Sequence, residues 1–262
     1  MTKENANPIP AATILLLRDA PALEVLMIER HPDTPFAGGA LVFPGGRIDP
    51  GDRSDDWRDH CDGVEDIPAD ELAPRIAAIR ESFEEAGILL ARRDGKMLGA
   101  EVHEFDHLRK AIEQDETIFL KLVRDESLRL ALDVLRLFAR WEPPAGVTHR
   151  RYHTWFFAAR TPHGQEARED GDEATETLWT SPEGALQAAA EGERKMIYPT
   201  VRNVELLSIA DNADAVIDFA KRRKIETIVP YPEVRDGVQM LCIPDDLGYP
   251  VTAESIETAF RS

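Results

Sequence analysis

The 262 residues are 43% hydrophobic, enough for one enlarged core, and two cysteines are too few for a disulfide framework. A formal net charge of −18 excludes nonspecific contact with nucleic-acid phosphates and repels an anionic substrate unless cations reverse the sign locally. No run approaches the ~20 apolar residues of a membrane-spanning helix, and the polar start lacks a basic leader, so a cytoplasmic location away from membranes is expected.

In chain order, residues 12–17 and 23–29 predict two strands joined by a turn at Asp19-Ala20-Pro21. Residues 41–43 lead into Pro44-Gly45-Gly46, a rigid turn whose glycines let backbone carbonyls approach a ligand. The acidic stretch 49–71 lacks the alternating acids of a calcium loop and reads as a solvated insertion. A helix is expected from residues 70–74 onward, with Pro74 in its first turn and Gly87 closing it. On that helix Ile76, Ile79, Phe83 and Ala86 share one face. Glu84 and Glu85 lie about 60° and 40° either side of Glu81, so all three carboxylates share the other.

Residues 105–114 and 117–139 predict further helices, expected to cap the site or to pack in the core. Residues 152–159 predict a central strand that brings His153 towards the pocket, and 177–180 another strand. Ser181 N-caps a helix to 191, residues 201–222 form a further helix, and residues 225–234 and 238–243 pair across Arg235-Asp236-Gly237. The expected organisation is one domain over 1–262. Its core spans about 10–190, a helical insertion lies near 101–140, and 196–262 packs on as an extension.

Like charges at helical spacing oppose each other unless a cation sits among them, and hard divalent ions prefer oxygen donors. Gly46 followed later by Arg80-Glu81-Ser82-Phe83-Glu84-Glu85-Ala86-Gly87-Ile88 resembles the signature of the Nudix hydrolases. That signature runs Gly, five residues, Glu, seven residues, then Arg-Glu-apolar-any-Glu-Glu-any-Gly-apolar. Ser82 departs at an apolar position. Thirty-three residues separate Gly46 from Arg80, so an insertion interrupts the box and leaves its first acid open among Asp49, Asp52 and Glu71, the neighbour of Leu72. Upstream, Arg30 and Gly39 precede Phe43-Pro44-Gly45-Gly46 at the spacing of the coenzyme A diphosphatases of that family, although His31 and Pro35 depart from their pattern. With residues 151–157, the chain is most similar to the longer branch of these enzymes.

The resemblance implies an α/β fold, a Nudix-like α/β/α sandwich with a mixed central sheet, an insertion inside the box and extra helices. It implies Mg²⁺ or Mn²⁺ held by Glu81, Glu84, Glu85 and the Gly45 carbonyl, with Arg80 orienting Glu81. Gly45 and Gly46 would lie beside the diphosphate and Arg30 against a substrate phosphate. Glu173 and Glu176 stand as loop acids for a further cation or a general base. The implied reaction is hydrolysis of coenzyme A or acyl-coenzyme A at the diphosphate by metal-activated water. ADP-ribose or NADH as substrate, or a nucleotide-sensing domain without turnover, are the alternatives, and homodimerisation is left open. A remote rival is His103-Glu104-Phe105-Asp106-His107, which on an α-helix places two imidazoles on one face for zinc, with Glu126 as a further ligand of a metalloprotease.

Overall fold

The computed structural model describes residues 7–34, 37–144, 151–169 and 174–259. Strands β1 (Ile9–Asp19) and β2 (Leu23–Arg30) pair antiparallel, and the short β3 (Leu41–Val42) and β4 (Gly45–Arg47) return onto β2 and β1 respectively. Short 3-10 turns and β5 (Cys61–Asp62) then lead into α1 (Leu72–Ala86). There follow β6 (Ala91–Arg93), β7 (Lys96–Met97), a 3-10 stretch at Ala100–Leu108, α2 (Arg109–Gln114), α3 (Ile118–Asp125), β8 (Leu128–Ala131) and β9 (Arg136–Trp141). Next come β10 (Tyr152–Arg160), β11 (Ala174–Thr180), α4 (Pro182–Ala190), α5 (Tyr198–Leu207) and α6 (Ala213–Arg222). The chain closes with β12 (Thr227–Ile228), β13 (Tyr231–Arg235), β14 (Val238–Cys242), β15 (Ala253–Ser255) and α7 (Ile256–Ala259).

The central sheet runs β11-β2-β1-β10-β9-β12 and is mixed, since β1–β10 and β9–β12 are parallel pairs while the others on this path are antiparallel. Strand alternation explains why both faces are covered. Ala12, Ile14 and Leu16 of β1, with Trp155, Phe157 and Ala159 of β10, pack into a core with Ile76, Ile79 and Phe83 of α1. Leu15, Leu17, Phe156 and Ala158 point the other way, into a second core with Ala185 of α4, Val204 of α5 and Val216 of α6. Helices therefore lie on both sides of the sheet, as the expected α/β/α sandwich requires.

Three expectations are corrected. The helix over 117–139 stops at Asp125: Ser127 takes φ +53°, and Leu128 and Leu130 are buried around an exposed Arg129, the two-residue period of a strand. The insertion near 101–140 is thus helical only in its first part. The single helix over 201–222 is two, because Asn212 leaves helical geometry and its side chain accepts from the Ala215 N–H to start α6. The acidic stretch 49–71 is not simply solvated: Trp57 is buried against Phe119, with Nε1 donating to the Gly51 carbonyl at 2.9 Å. Phe119, Leu122 and Val123 put α3 in this core, the second of the two roles expected for it.

From the extension, β12 joins the edge of the central sheet beside β9, and β13–β15 form a separate small sheet. Asp236 and Gly237 at φ +50° and +80° make the expected hairpin turn. Among the described residues, no helix is long and apolar enough to cross a membrane. Cys61 and Cys242 are free and buried.

Candidate active site

Helix α1 carries the acidic cluster, and its sequence sets where it ends. Gly87 at φ +69° terminates it, its N–H donating to the Phe83 carbonyl at 2.9 Å. Ser82 is buried, and its hydroxyl donates to the Ile88 carbonyl at 2.8 Å, so the departure from an apolar residue serves the helix end. Arg109 of α2 donates to the Glu84 carbonyl at 3.0 Å and to the Arg168 carbonyl at 2.9 Å. It ties α1 to the strand-connecting loop.

Glu81, Glu84 and Glu85 are 8%, 7% and 3% exposed, and Asp52 is 2% exposed. Arg80 is the hub among them. Its Nε and Nη2 donate to the two oxygens of Asp52, both at 2.9 Å, and its Nη1 to Glu81 Oε1 at 2.9 Å and Glu84 Oε1 at 3.0 Å. Nη2 also donates to the Arg47 carbonyl at 2.8 Å, fastening α1 to the glycine turn. Counting forward, five residues separate Asp52 from Gly46, the spacing of the signature. It fills the place of the first signature acid as partner of Arg80, and the insertion follows it. Glu71 instead pairs with Arg75 at 2.7 Å.

Gly45 and Gly46 of β4 pair with Thr13 and Ala12 of β1. The Gly45 N–H donates to Glu85 Oε2 at 2.7 Å, while Arg30 lies 3.6 Å from Glu85 Oε1. A Cβ at Gly46 would stand 2.5 Å from Glu81 Oε1, and one at Gly45 2.5 Å from Thr13 Oγ1 and 2.6 Å from the Ala12 carbonyl oxygen. The glycines are therefore a steric window that lets the α1 carboxylates reach a cleft of about 1150 Å³. Arg30, Gly45, Gly46, Arg47, Asp49, Arg80, Glu81 and Glu84 line its polar end.

Four buried carboxylates gather here around the guanidiniums of Arg80 and Arg30, and Asp49 lies 3.7 Å from Arg80 as well, so acids outnumber these two bases. Burial first, and for Glu84 the charge of Glu81 next, raises the proton affinity of Glu81 and Glu84 above the ordinary carboxylate range. An all-oxygen, net-negative cluster of this kind suits a hard divalent cation. Among the described residues, no three acidic, histidine or cysteine side chains already converge as a ligand set. Arg80 and the Gly45 N–H take one oxygen each of Glu81 and Glu85, and Arg80 donates to Glu84 as well, so these donors fix the orientation of the trio.

Other expected residues fall elsewhere. Glu176 is exposed on β11, pairs with Arg194 at 2.7 Å and is not among the cleft-lining residues. Glu173 lies outside the described residues. His153 stacks on Trp155, whereas its neighbours Tyr152 and Thr154 face the cleft, because adjacent strand residues point to opposite sides. The zinc reading fails on geometry: His103 and His107 lie in a 3-10 stretch, where positions four apart are about 120° out of line. Nδ1 of His103 pairs with Asp106 and that of His107 with the Glu104 carbonyl, while Glu126 pairs with Arg93. Glu113 of α2 also lines the cleft, a position that no motif in the sequence marks.

A mixed sheet between helices, with a glycine turn set against a glutamate-bearing helix, defines a Nudix hydrolase. The family model described as the NUDT19 Nudix domain matches residues 59–207, and the chain belongs to that family. The acyl-coenzyme A diphosphatase NUDT19 of Gallus gallus is 29% identical over 82% of this chain and 72% of its own length, and that of Homo sapiens 27% over 87% and 73%. The Xenopus laevis counterpart is 26% identical over 63% of this chain, and the match spans 54% of that relative. A Nudix hydrolase structure from Alicyclobacillus acidocaldarius is similar with a TM-score of 0.68 at 25% identity, covering 81% of this chain and 96% of the other.

Proposed function

We propose that this protein hydrolyses the diphosphate of coenzyme A or an acyl-coenzyme A with Mg²⁺ or Mn²⁺, giving adenosine 3′,5′-bisphosphate and a 4′-phosphopantetheine product. The observation that carries this reading is that Glu81 and Glu84 line one end of the cleft beside the Gly45-Gly46 window, with Glu85 held behind it by the Gly45 N–H. The names of the vertebrate relatives support the choice of substrate.

Bound metal would supply charge neutralisation at the bridging phosphates and a water of lowered pKa. Glu81, Glu84 and Glu85, with the Gly45 carbonyl, are the groups that would hold it. Arg80 keeps Glu81 and Glu84 in place through a guanidinium itself anchored on Asp52. Arg30, beside Glu85 and facing the cleft, is placed to bind a substrate phosphate. Glu173 is the loop acid of this proposal, for a further cation or as general base.

Screening coenzyme A, acyl-coenzyme A, ADP-ribose and NADH with each metal tests the reading; preference for either of the last two, or tight ADP-ribose binding without turnover, would overturn it. Glu84→Gln and Glu85→Gln are expected to lower kcat by at least about a hundredfold with an unchanged melting curve. Wild-type rates in either variant would remove that residue from the machinery.

A further inference from the structure

Two of the three α1 carboxylates sit at a vulnerable place. Glu84 and Glu85 belong to the last turn of α1, which ends at Ala86, and the closing carbonyls of a helix have no intrahelical donors. The Gly87 N–H serves the Phe83 carbonyl, and the carbonyls after it need partners from elsewhere in the chain. Arg109 Nε donates to that of Glu84 at 3.0 Å, and the Arg168 N–H to that of Ala86 at 2.9 Å.

Both donors belong to one latch. Arg109 directs its Nη2 to the Arg168 carbonyl at 2.9 Å and its Nη1 to the Glu169 carbonyl at 3.4 Å, so α2 and the loop after β10 close on the helix end together. Arg109 is buried, and a cation over C-terminal carbonyls also meets the negative end of the helix dipole. The same loop is fixed a second time, beyond Gly87, by Gln165. Its Oε1 accepts from the Leu89 N–H at 2.9 Å, and its Nε2 donates to the Leu89 and Leu98 carbonyls at 3.0 and 2.9 Å. Just past α2 the chain returns to the turn before Asp52, where a Cβ at Gly51 would stand 2.3 Å from the Glu116 carbonyl oxygen. The α2 segment therefore touches both the carboxylate turn and the turn that carries the partner of Arg80.

We infer that Arg109 is a positioning residue: by capping the last turn of α1 it fixes Glu84 and Glu85 for metal and diphosphate, and the α2 segment serves the active site as a brace. The inference rests on the reading above for the role of the two glutamates. Arg80 holds Glu84 by its carboxylate and Arg109 holds it by its carbonyl, so side chain and backbone are fixed separately. A shift of about 1 Å at such a site is enough to cost most of the rate.

The test compares Arg109→Met, Arg109→Lys and Gln165→Met with the native chain in kcat, KM, melting temperature and, without substrate, Mn²⁺ affinity by calorimetry, all well below each melting temperature. Arg109→Met is expected to lower kcat and to weaken Mn²⁺ by about tenfold or more each, as loss of a supporting contact behind metal ligands does. Arg109→Lys, which keeps the charge but not the fork that reaches several carbonyls, should fall between. It also carries the comparison if Arg109→Met does not fold. Gln165→Met loosens the same loop without touching the carboxylate turn, and should lower the melting temperature while kcat and Mn²⁺ affinity stay native. Native kcat and Mn²⁺ affinity in the folded Arg109 variants would overturn the proposal. Equal losses of both in Gln165→Met would overturn it too, since Arg109 would then be one structural contact among several. Weakened Mn²⁺ binding in Arg109→Met, with no turnover of any coenzyme A derivative by the native chain, would sustain the brace and remove the hydrolase reading.

Discussion

At residue scale, the decisive contact is between a missing side chain and a carboxylate. Gly46 does not need its freedom for a left-handed backbone; it needs the space in which Glu81 lies. Gly46→Ala would put a methyl 2.5 Å from the far end of a flexible side chain, so Glu81 moves and the backbone does not. The expected outcome is a folded protein with a nearly native melting temperature and kcat reduced by up to about a hundredfold, because catalytic geometry tolerates little displacement. Steady-state kinetics beside a thermal melt checks both halves. Asp52 shows how an interrupted motif keeps its contact: counted back from Arg80 the acid position is Leu72, but it is Asp52 that makes the buried bidentate pair with Arg80, while Asp49 lies 3.7 Å from the same guanidinium. Twenty-seven residues lie between them where the signature has seven, which changes the connection and leaves the contact.

At the scale of elements, caps decided boundaries that periodicity misjudged. Ser181 accepts from the Gly184 N–H at 3.0 Å with Pro182 beginning the helix, which is why α4 was readable in the sequence. Ser181→Ala is expected to cost about 1 kcal/mol, measured as a shift in denaturant midpoint with an unchanged slope. Residues 117–139 misled because leucine and valine recur often enough to satisfy a helical wheel, and the break at Ser127 depends on a backbone angle that no local signal announces. The His103–His107 motif failed for a related reason: its spacing has chemical meaning only on an α-helix, and this stretch is wound three residues to the turn.

Across the whole molecule, burial of acidic groups couples stability to ions and to pH. If the acidic end of the cleft takes Mg²⁺, saturation at about a hundred times Kd should add about 2.7 kcal/mol, a rise of roughly 5–10 °C in melting temperature. Sodium at equal ionic strength should not reproduce that rise in a thermal-shift assay. Far from that site, burial pushes Glu205 of α5 up to about 7 from its ordinary 4.5, against the pull of Arg202. The folded state then holds a proton that the unfolded chain has released, so this contribution is full below pH 4.5 and is lost as pH rises to about 7. Glu205→Gln should remove that loss, worth about 1 kcal/mol after allowance for solvent screening, seen by comparing unfolding free energies at pH 5 and 8. What the sequence determined alone was the local chemistry: the carboxylate spacing on α1, the glycine turn, the capped helices and the alternating strands all follow from neighbours within a few residues. Only the tertiary structure decided that Asp52 pairs with Arg80, that Glu176 lies away from the cleft, that His153 faces the opposite side of the sheet, and that residues from the last quarter of the chain line the cleft. Those outcomes depend on contacts between residues distant in sequence, and the free energy of such contacts exists only once both sides of the sheet are packed.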